Sequence, residues 1–368
     1  MKEKLRSGIT TGTCATAAAQ AAILAVLAQT PEAVCVRLPR GEDKIVALEY
    51  ATRITENTAT AGVRKDAGDD PDITNGILVV ADVELTQAVE IRLLGGEGVG
   101  VVTKPGLSIL VGEAAINPVP RRMIEEGVRS IIGPARGAVI RISIPGGEKL
   151  ARRTLNPSLG IEGGLSVIGT TGIVEPMSEE AFKDSLTPQI DVALAQGFES
   201  LVFVPGKIGE NIAVDQYGLP KEAVLQTSNF IGHMLTAAED KGVKRVLLFG
   251  HPGKLVKVAG GIFHTHNRMA DGRMEIIAAY AALQQAGVEI IEEILACTTT
   301  EAATDILRRQ GLNEAVYAAL AKQASNRAQR YVFGGLEIGT VIVSMQGEIL
   351  GMDECAKAIG GTLQWNIR

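Results

Sequence analysis

The rhythm of apolar segments changes near residue 156, and this limits what the chain can fold into more than any single motif does. Before it, short runs with partial apolar–polar alternation are separated by turns rich in Gly and Pro. Residues 34–38 and 44–49 flank the turn Pro39-Arg40-Gly41-Glu42 and read as a hairpin. Residues 52–63 read as one threonine-rich strand, 77–85 and 88–94 as a further hairpin, and 138–144 as a last strand. Two helices are expected, an alanine-rich one at 14–28 and one at 119–130, where proline suits the first turn. After residue 156, strands at 165–168, 200–204, 245–249 and 338–344 alternate with helices at 179–196, 221–241, 273–286, 301–309 and 312–328; a short apolar segment spans 288–295. Such alternation implies a mostly parallel sheet covered by helices on both faces.

The expected fold is an α+β N-terminal domain over residues 1–155, a mostly antiparallel sheet with two helices. An α/β C-terminal domain over residues 156–368 follows, with a doubly wound, Rossmann-like, mostly parallel sheet. A length of 368 residues fits two domains of roughly 150 residues each. Hydrophobic residues make up 46% but aromatics only 4%, so the core must be aliphatic and rich in alanine. The net charge of −6 argues against a general nucleic-acid or membrane-surface binder, which needs a basic excess. Cys14, Cys35, Cys297 and Cys355 are scattered, without a Cys-x-x-Cys, so neither a protein-bound metal nor a disulfide framework is expected. The first residues lack the apolar core of a signal peptide, and no apolar run reaches the ~20 residues of a membrane span. A cytoplasmic location is the expectation.

Several loops carry the candidate chemistry. Residues 8–13 form a Gly/Thr loop ahead of the first helix, where Thr11 or Thr13 is a candidate cap and the first amides a candidate anion site. Residues 65–72 hold Asp66, Asp69, Asp70 and Asp72, either a solvated acidic turn or the seat of a general base. Residues 95–100 match a dinucleotide fingerprint loosely, but no helix follows, which excludes that reading. Residues 156–178 bring Gly160, Gly163 and Gly164, a strand, and the loop Gly169-Thr170-Thr171-Gly172. Ligands of doubly wound sheets bind beyond the carboxyl ends of the strands, where strand order reverses. Loops 169–172, 205–209 and 250–253 are expected at such ends, which makes Gly169, Thr170, Thr171, Gly172, Gly206, Gly250 and Gly253 the candidate cofactor-binding residues. Neither 250–254 nor 206–208 is a Walker loop: the spacing is too short, and Leu255 stands where Ser or Thr would bind magnesium. His264 and His266 alone are too few for a metal site, and His251 is either a proton acceptor or a capping residue.

Taken together, the chain resembles the cobalt-precorrin-5B C1-methyltransferase family of the anaerobic cobalamin pathway. The resemblance rests on residues 6–19 (RSGITTGTCATAAA), 63–72 (VRKDAGDDPD), 98–107 (GVGVVTKPGL), 115–121 (AINPVPR), 156–178 and 249–254 (FGHPGK), and covers essentially the whole chain. It implies methyl transfer from S-adenosylmethionine to carbon 1 of a cobalt-containing corrinoid, with cobalt arriving only as part of the substrate. The substrate's carboxylates make Lys65, Lys104, Arg121, Arg122, Lys207 and Lys254, with Thr11 and Thr13, the expected substrate contacts. His251 and Asp66 are the candidate catalytic proton acceptors. The substrate is expected between the two domains, with the donor in loops of the second. The common methyltransferase pattern places Gly-x-Gly-x-Gly after the first strand and an acid after the second. Here those places read Gly-Thr-Thr-Gly and Pro-Gly-Lys, so an uncommon mode of cofactor binding is expected. The expected partners are the small-molecule corrinoid and a second copy in a homodimer, with no nucleic acid and no membrane. A non-catalytic corrinoid carrier and a phosphotransferase are the alternative functions.

Overall fold

The computed structural model describes residues 5–366, and the chain divides into two compact units, Met1–Glu180 and Ala181–Arg368. In the first, β1 (Gly8–Ile9) leads into α1 (Thr11–Val26), of which only Leu24 is not buried. Alanine forms helix at little entropic cost and lets other backbones approach closely, so this helix serves as the centre of a core. It packs on one side against a sheet and on the other against a second helix. The hairpin β2 (Ala33–Arg37) and β3 (Asp43–Ala47) stands apart from that sheet. Next come β4 (Tyr50–Arg53), β5 (Thr58–Arg64), β6 (Leu78–Thr86), β7 (Ile91–Gly95), β8 (Val101–Val102), α2 (Pro118–Ile132) and β9 (Gly137–Ser143). The sheet has the order β4-β5-β6-β9-β7 and is antiparallel except for β7 beside β9, joined by the crossover through α2. Gly127 of α2 lies against α1: a Cβ there would stand 3.2 Å from Gln20 and Thr16. The short α3 (Gly147–Ala151), β10 (Ile161–Glu162) and β11 (Ile173–Val174) complete this unit.

Some expected elements are corrected here. Residues 52–63 are two strands, because Arg53 and Thr58 bracket a turn held by Thr55. The expected hairpin of 77–85 with 88–94 does not form: β9 lies between β6 and β7, pairing Ala81 with Ile142 and Leu93 with Ile140. Alternation fixes which face a strand buries but not its partner. Residues 156–178 belong to the first unit rather than opening the second. Leu165 N–H donates to the Gly98 carbonyl at 2.8 Å and Val167 N–H to the Ala115 carbonyl at 2.8 Å, and both side chains join the core around α1. The compact unit therefore ends near residue 180, not 155.

The second unit begins within α4 (Glu179–Leu186), which Pro188 separates from α5 (Pro188–Ala195) where one helix was expected. There follow β12 (Ser200–Val204), α6 (Lys207–Asn211) running into a π-helical turn at Ile212–Gln216, β13 (Val224–Gln226), α7 (Ile231–Asp240), β14 (Arg245–Gly250) and α8 (Pro252–Ala259). Then come α9 (Arg273–Leu283), α10 (Val288–Leu295), α11 (Thr300–Arg309), α12 (Asn313–Tyr331), β15 (Glu337–Val343), β16 (Ile349–Met352) and α13 (Glu354–Thr362). The sheet order is β13-β12-β14-β15-β16, with β16 antiparallel to β15 and the other pairs parallel. One face buries Val202, Val204, Leu247, Phe249, Val341 and Val343 against the π-helical turn and α13. On the other, α12 packs on β15, where Ser325 and Thr340 share a buried hydroxyl hydrogen bond of 2.8 Å. The expected helix at 221–241 hides the three-residue β13, too short to show a period of its own.

Candidate active site

Strand order in the second unit reverses between β12 and β14: the chain leaves β12 for β13 on one side and returns to β14 on the other. Crevices form at such points because successive crossovers turn away from each other. Both strands end in the expected loops, which touch: a Cβ on Gly250 would meet the Pro205 ring at 2.9 Å. Gly206 is extended (φ −178°) with nothing within 4 Å of where its Cβ would be, so its backbone lies open. Beside it Glu210 is buried at 6% exposure. Its carboxylate accepts from Lys207 Nζ at 2.5 Å and from the Gln226 amide, and Gln226 N–H donates to Gln189 Oε1 at 3.1 Å. The carboxyl ends of β12 and β13 are thus tied through one buried carboxylate.

At the end of β14, His251 caps α8. Its Nδ1 accepts from Gly253 N–H at 3.1 Å, and its Nε2 lies 2.6 Å from Glu301 Oε1. That pattern needs the neutral tautomer with its hydrogen on Nε2. Burial pushes the His251 pKa below its ordinary value, with Glu301 opposing in part. Both nitrogens are occupied, so the ring holds the loop instead of presenting a free base. Lys254, one turn on, donates to Asn229 Oδ1 at 2.5 Å and to the Thr265 carbonyl at 3.4 Å. Asn229 follows Ser228, which sits in the left-handed region (φ +52°), a conformation a non-glycine residue keeps only when its surroundings impose it. The fully buried Lys257 donates to the Thr265 carbonyl, Asn267 Oδ1 and the Ala270 carbonyl at 3.2, 2.7 and 2.8 Å, pinning the segment after α8.

The remaining candidates lie in the first unit and are occupied by its own structure. Thr10, not Thr11 or Thr13, caps α1, accepting from Thr13 N–H at 3.2 Å. Gly12 N–H donates to the Ile168 carbonyl at 2.9 Å and Cys14 N–H to the Thr10 carbonyl at 3.0 Å, so the expected anion site is filled by protein acceptors. Buried Thr11 bonds Ile168 N–H at 2.9 Å and buried Thr13 the Gly172 carbonyl at 2.7 Å, fastening residues 168–172 to the helix. The loop of Gly169, Thr170, Thr171 and Gly172 is therefore not at the end of a strand of the second sheet. A Cβ on Gly169 (φ +142°) or Gly172 (φ +83°) would run into Thr10 or Leu38. Asp66 pairs with Arg6, which, with the Gly68 N–H, holds its pKa below the carboxylate range. Asp69 accepts from Arg6 N–H at 2.6 Å, Asp70 from Met177 N–H at 2.8 Å, and Asp72 from buried Lys65 at 2.6 Å. The acidic stretch is a structural clasp, and Lys65 is neutralised inside it. The Lys104 stem lies over Gly160, and Arg121 faces Glu113 at 3.6 Å. Glycines at 95–100 serve chain approach: a Cβ on Gly98 (φ +69°) would overlap the Ile144 carbonyl, and one on Gly147 or Gly164 the Gly98 carbonyl.

The sequence pattern of the CbiD family matches residues 1–176, and that of the CbiD C-terminal domain matches residues 264–354. The protein named cobalt-precorrin-5B C(1)-methyltransferase of Moorella thermoacetica is 54% identical over 98% of this chain and 98% of its own. The chain belongs to the CbiD family. Proteins of the same name from Desulfitobacterium hafniense and Methanocaldococcus jannaschii are 47% and 44% identical over 96% and 95% of this chain and 92% and 97% of theirs. A crystal structure described as the cobalamin biosynthesis protein CbiD of Archaeoglobus fulgidus is 30% identical, covers 72% of this chain and 83% of its own, and has a TM-score of 0.39. In this CbiD chain, sequence reasoning singled out Gly206, Lys207, Gly250, His251, Gly253 and Lys254, which share the crevice edge, and missed Glu210, Gln226, Asn229 and Glu301. Glu210 lies three residues beyond Lys207, a helical i,i+3 signal that was legible; Glu301 reaches His251 across fifty residues, and no local pattern encodes that.

Proposed function

We propose that this CbiD chain methylates C-1 of cobalt-precorrin-5B, with S-adenosylmethionine as the donor, to give cobalt-precorrin-6A. The observation that carries the reading is the 54% identity, spanning both units, with a protein of that named activity. The crevice between β12 and β14 supports placing the donor in the second unit. Its chain-first strand is β12, so the first loop is Pro205-Gly206-Lys207, and the second strand, β13, ends in Gln226. Gly206 offers open backbone, and Glu210, each of whose oxygens keeps a lone pair beyond its bond to Lys207 or Gln226, suits the hydroxyls of a ribose. Gly206, Gly250 and Glu210 would hold the donor, whose sulfonium supplies an electrophilic methyl group. Lys207 and Lys254 on the crevice rim would pair with substrate carboxylates. The protein's contribution is then chiefly positioning and exclusion of water. His251 serves that positioning through its cap, since a proton at Nδ1 would have to displace the Gly253 N–H.

Incubation with the cobalt-bearing substrate and methyl-labelled S-adenosylmethionine tests the reading: label enters the corrinoid. A carrier would move no label, and a phosphotransferase would consume a nucleoside triphosphate instead. Glu210→Gln removes the negative acceptor with little change of shape. It should weaken donor binding about 10- to 100-fold, the weight of roughly 1.5–3 kcal/mol for a hydrogen bond to a charged group, measured by calorimetry with adenosylhomocysteine.

A further inference from the structure

The chain has four histidines, and three are engaged by the protein. His233 Nε2 lies 3.2 Å from Thr187 Oγ1, His251 uses both nitrogens, and His266 Nδ1 accepts from Arg268 N–H at 3.1 Å. Among the described residues, neither ring nitrogen of His264 has a hydrogen-bond partner, and neither is sealed from solvent. The ring is nevertheless held. His264 forms a backbone bridge with Phe230, and its imidazole packs on the Phe230 ring at 4.8 Å between centroids, with Phe182 on Phe230 at 5.8 Å. Backbone bonds on either side, Gly232 N–H to the Phe263 carbonyl at 3.2 Å and Thr265 N–H to the Asn229 carbonyl at 2.9 Å, fix the segment. Lys257 anchors the same segment from beneath, and Lys254 touches both Asn229 and the Thr265 carbonyl. His264 therefore belongs to the same carboxyl-end rim as Lys254. An imidazole held by packing, with its nitrogens left to solvent one residue from the carbonyl that Lys254 touches, is arranged for a ligand instead of for the fold.

Resting on the function proposed above, we propose that His264 is the axial ligand to the cobalt of the bound substrate. Imidazole nitrogen suits first-row transition metals, and a corrinoid leaves its cobalt open to axial donors. One cobalt–nitrogen bond forms and one axial water leaves; no electron is transferred. The bond would pin the macrocycle at its centre while Lys254 takes a peripheral carboxylate, so that rotation of the ring is suppressed and one carbon is presented. One histidine, too little for a protein metal site, is enough when the metal arrives already held by the four ring nitrogens of its own ligand.

The test uses the full-length protein and the cobalt(II) form of cobyrinic acid, a corrinoid with free carboxylates. Electron paramagnetic resonance of low-spin cobalt(II) shows triplet splitting when one axial nitrogen is bound. The wild-type complex should show the triplets, His266→Ala should keep them, and His264→Ala should lose them while still retaining the corrinoid on ultrafiltration and melting as the wild type does. Triplets that persist in His264→Ala, or a wild-type complex that holds the ring without them, overturn the assignment alone. A wild-type protein that retains no corrinoid and moves no methyl label overturns the functional reading and the assignment with it.

Discussion

Gly98 and Gly206 are one residue type under opposite constraints. At Gly98 the backbone is left-handed and a Cβ would overlap the Ile144 carbonyl, so Gly98→Ala should cost at least about 3 kcal/mol of stability, read as a lower denaturation midpoint. At Gly206 the backbone is extended and the space open. Gly206→Ala should leave stability within about 0.5 kcal/mol of wild type yet weaken adenosylhomocysteine binding, because the new methyl fills the open side of the loop. His251 adds a pH dependence. Burial lowers its folded pKa below the free value of about 6.5, so the unfolded chain binds the proton more readily. Its stabilising contribution is whole above about pH 6.5 and is lost as pH falls through the lower folded value. His251→Asn keeps an acceptor for Gly253 but nothing that titrates. It should flatten the stability profile below about pH 6.5, and, if the role is positioning, leave the pH profile of turnover unchanged near neutrality.

Among the elements, α1 decides the first unit. The helix is buried almost throughout, and its first turn is fastened to residues 168–172 by Thr10, Thr11 and Thr13. Thr10→Ala removes the cap of Thr13 N–H and should lower the unit's stability by about 1 kcal/mol in chemical denaturation. The helix itself was legible from its alanines, because propensity is local. Its cap is Thr10 where Thr11 or Thr13 was expected, because the three are equivalent as sequence, and only the long-range bonds to Ile168 and Gly172 separate capping from fastening. β13 was missed for a related reason: three residues carry no period, and it is a strand only because β12 offers parallel partners.

The whole molecule is two units, each with a core of its own, and the boundary is testable. Residues 156–178 supply Leu165 and Val167 to the first core and bond residues 98–117 along their backbone. A fragment ending at residue 178 should unfold cooperatively, whereas one ending at residue 155 should not, as followed by circular dichroism in urea. The apolar run at 165–168 looks the same whether it joins a parallel sheet or bridges the first unit, so the sequence reading placed both it and the glycine loop after it in the second.

What the sequence determined by itself was everything carried by short periods: the aliphatic core, the alanine helix, the alternation of strand and helix after β12, and the family through its long motifs. Tertiary structure alone decided which strands are neighbours, which glycines face another backbone and which face open space, and which charged residues are consumed by internal pairs. The physical reason is reach. Periodicity and propensity act over one or two turns of chain, while the contacts that empty the acidic loop of catalytic candidates, and that hold His264 against Phe230 with no hydrogen-bond partner for its ring nitrogens among the described residues, join residues far apart in sequence.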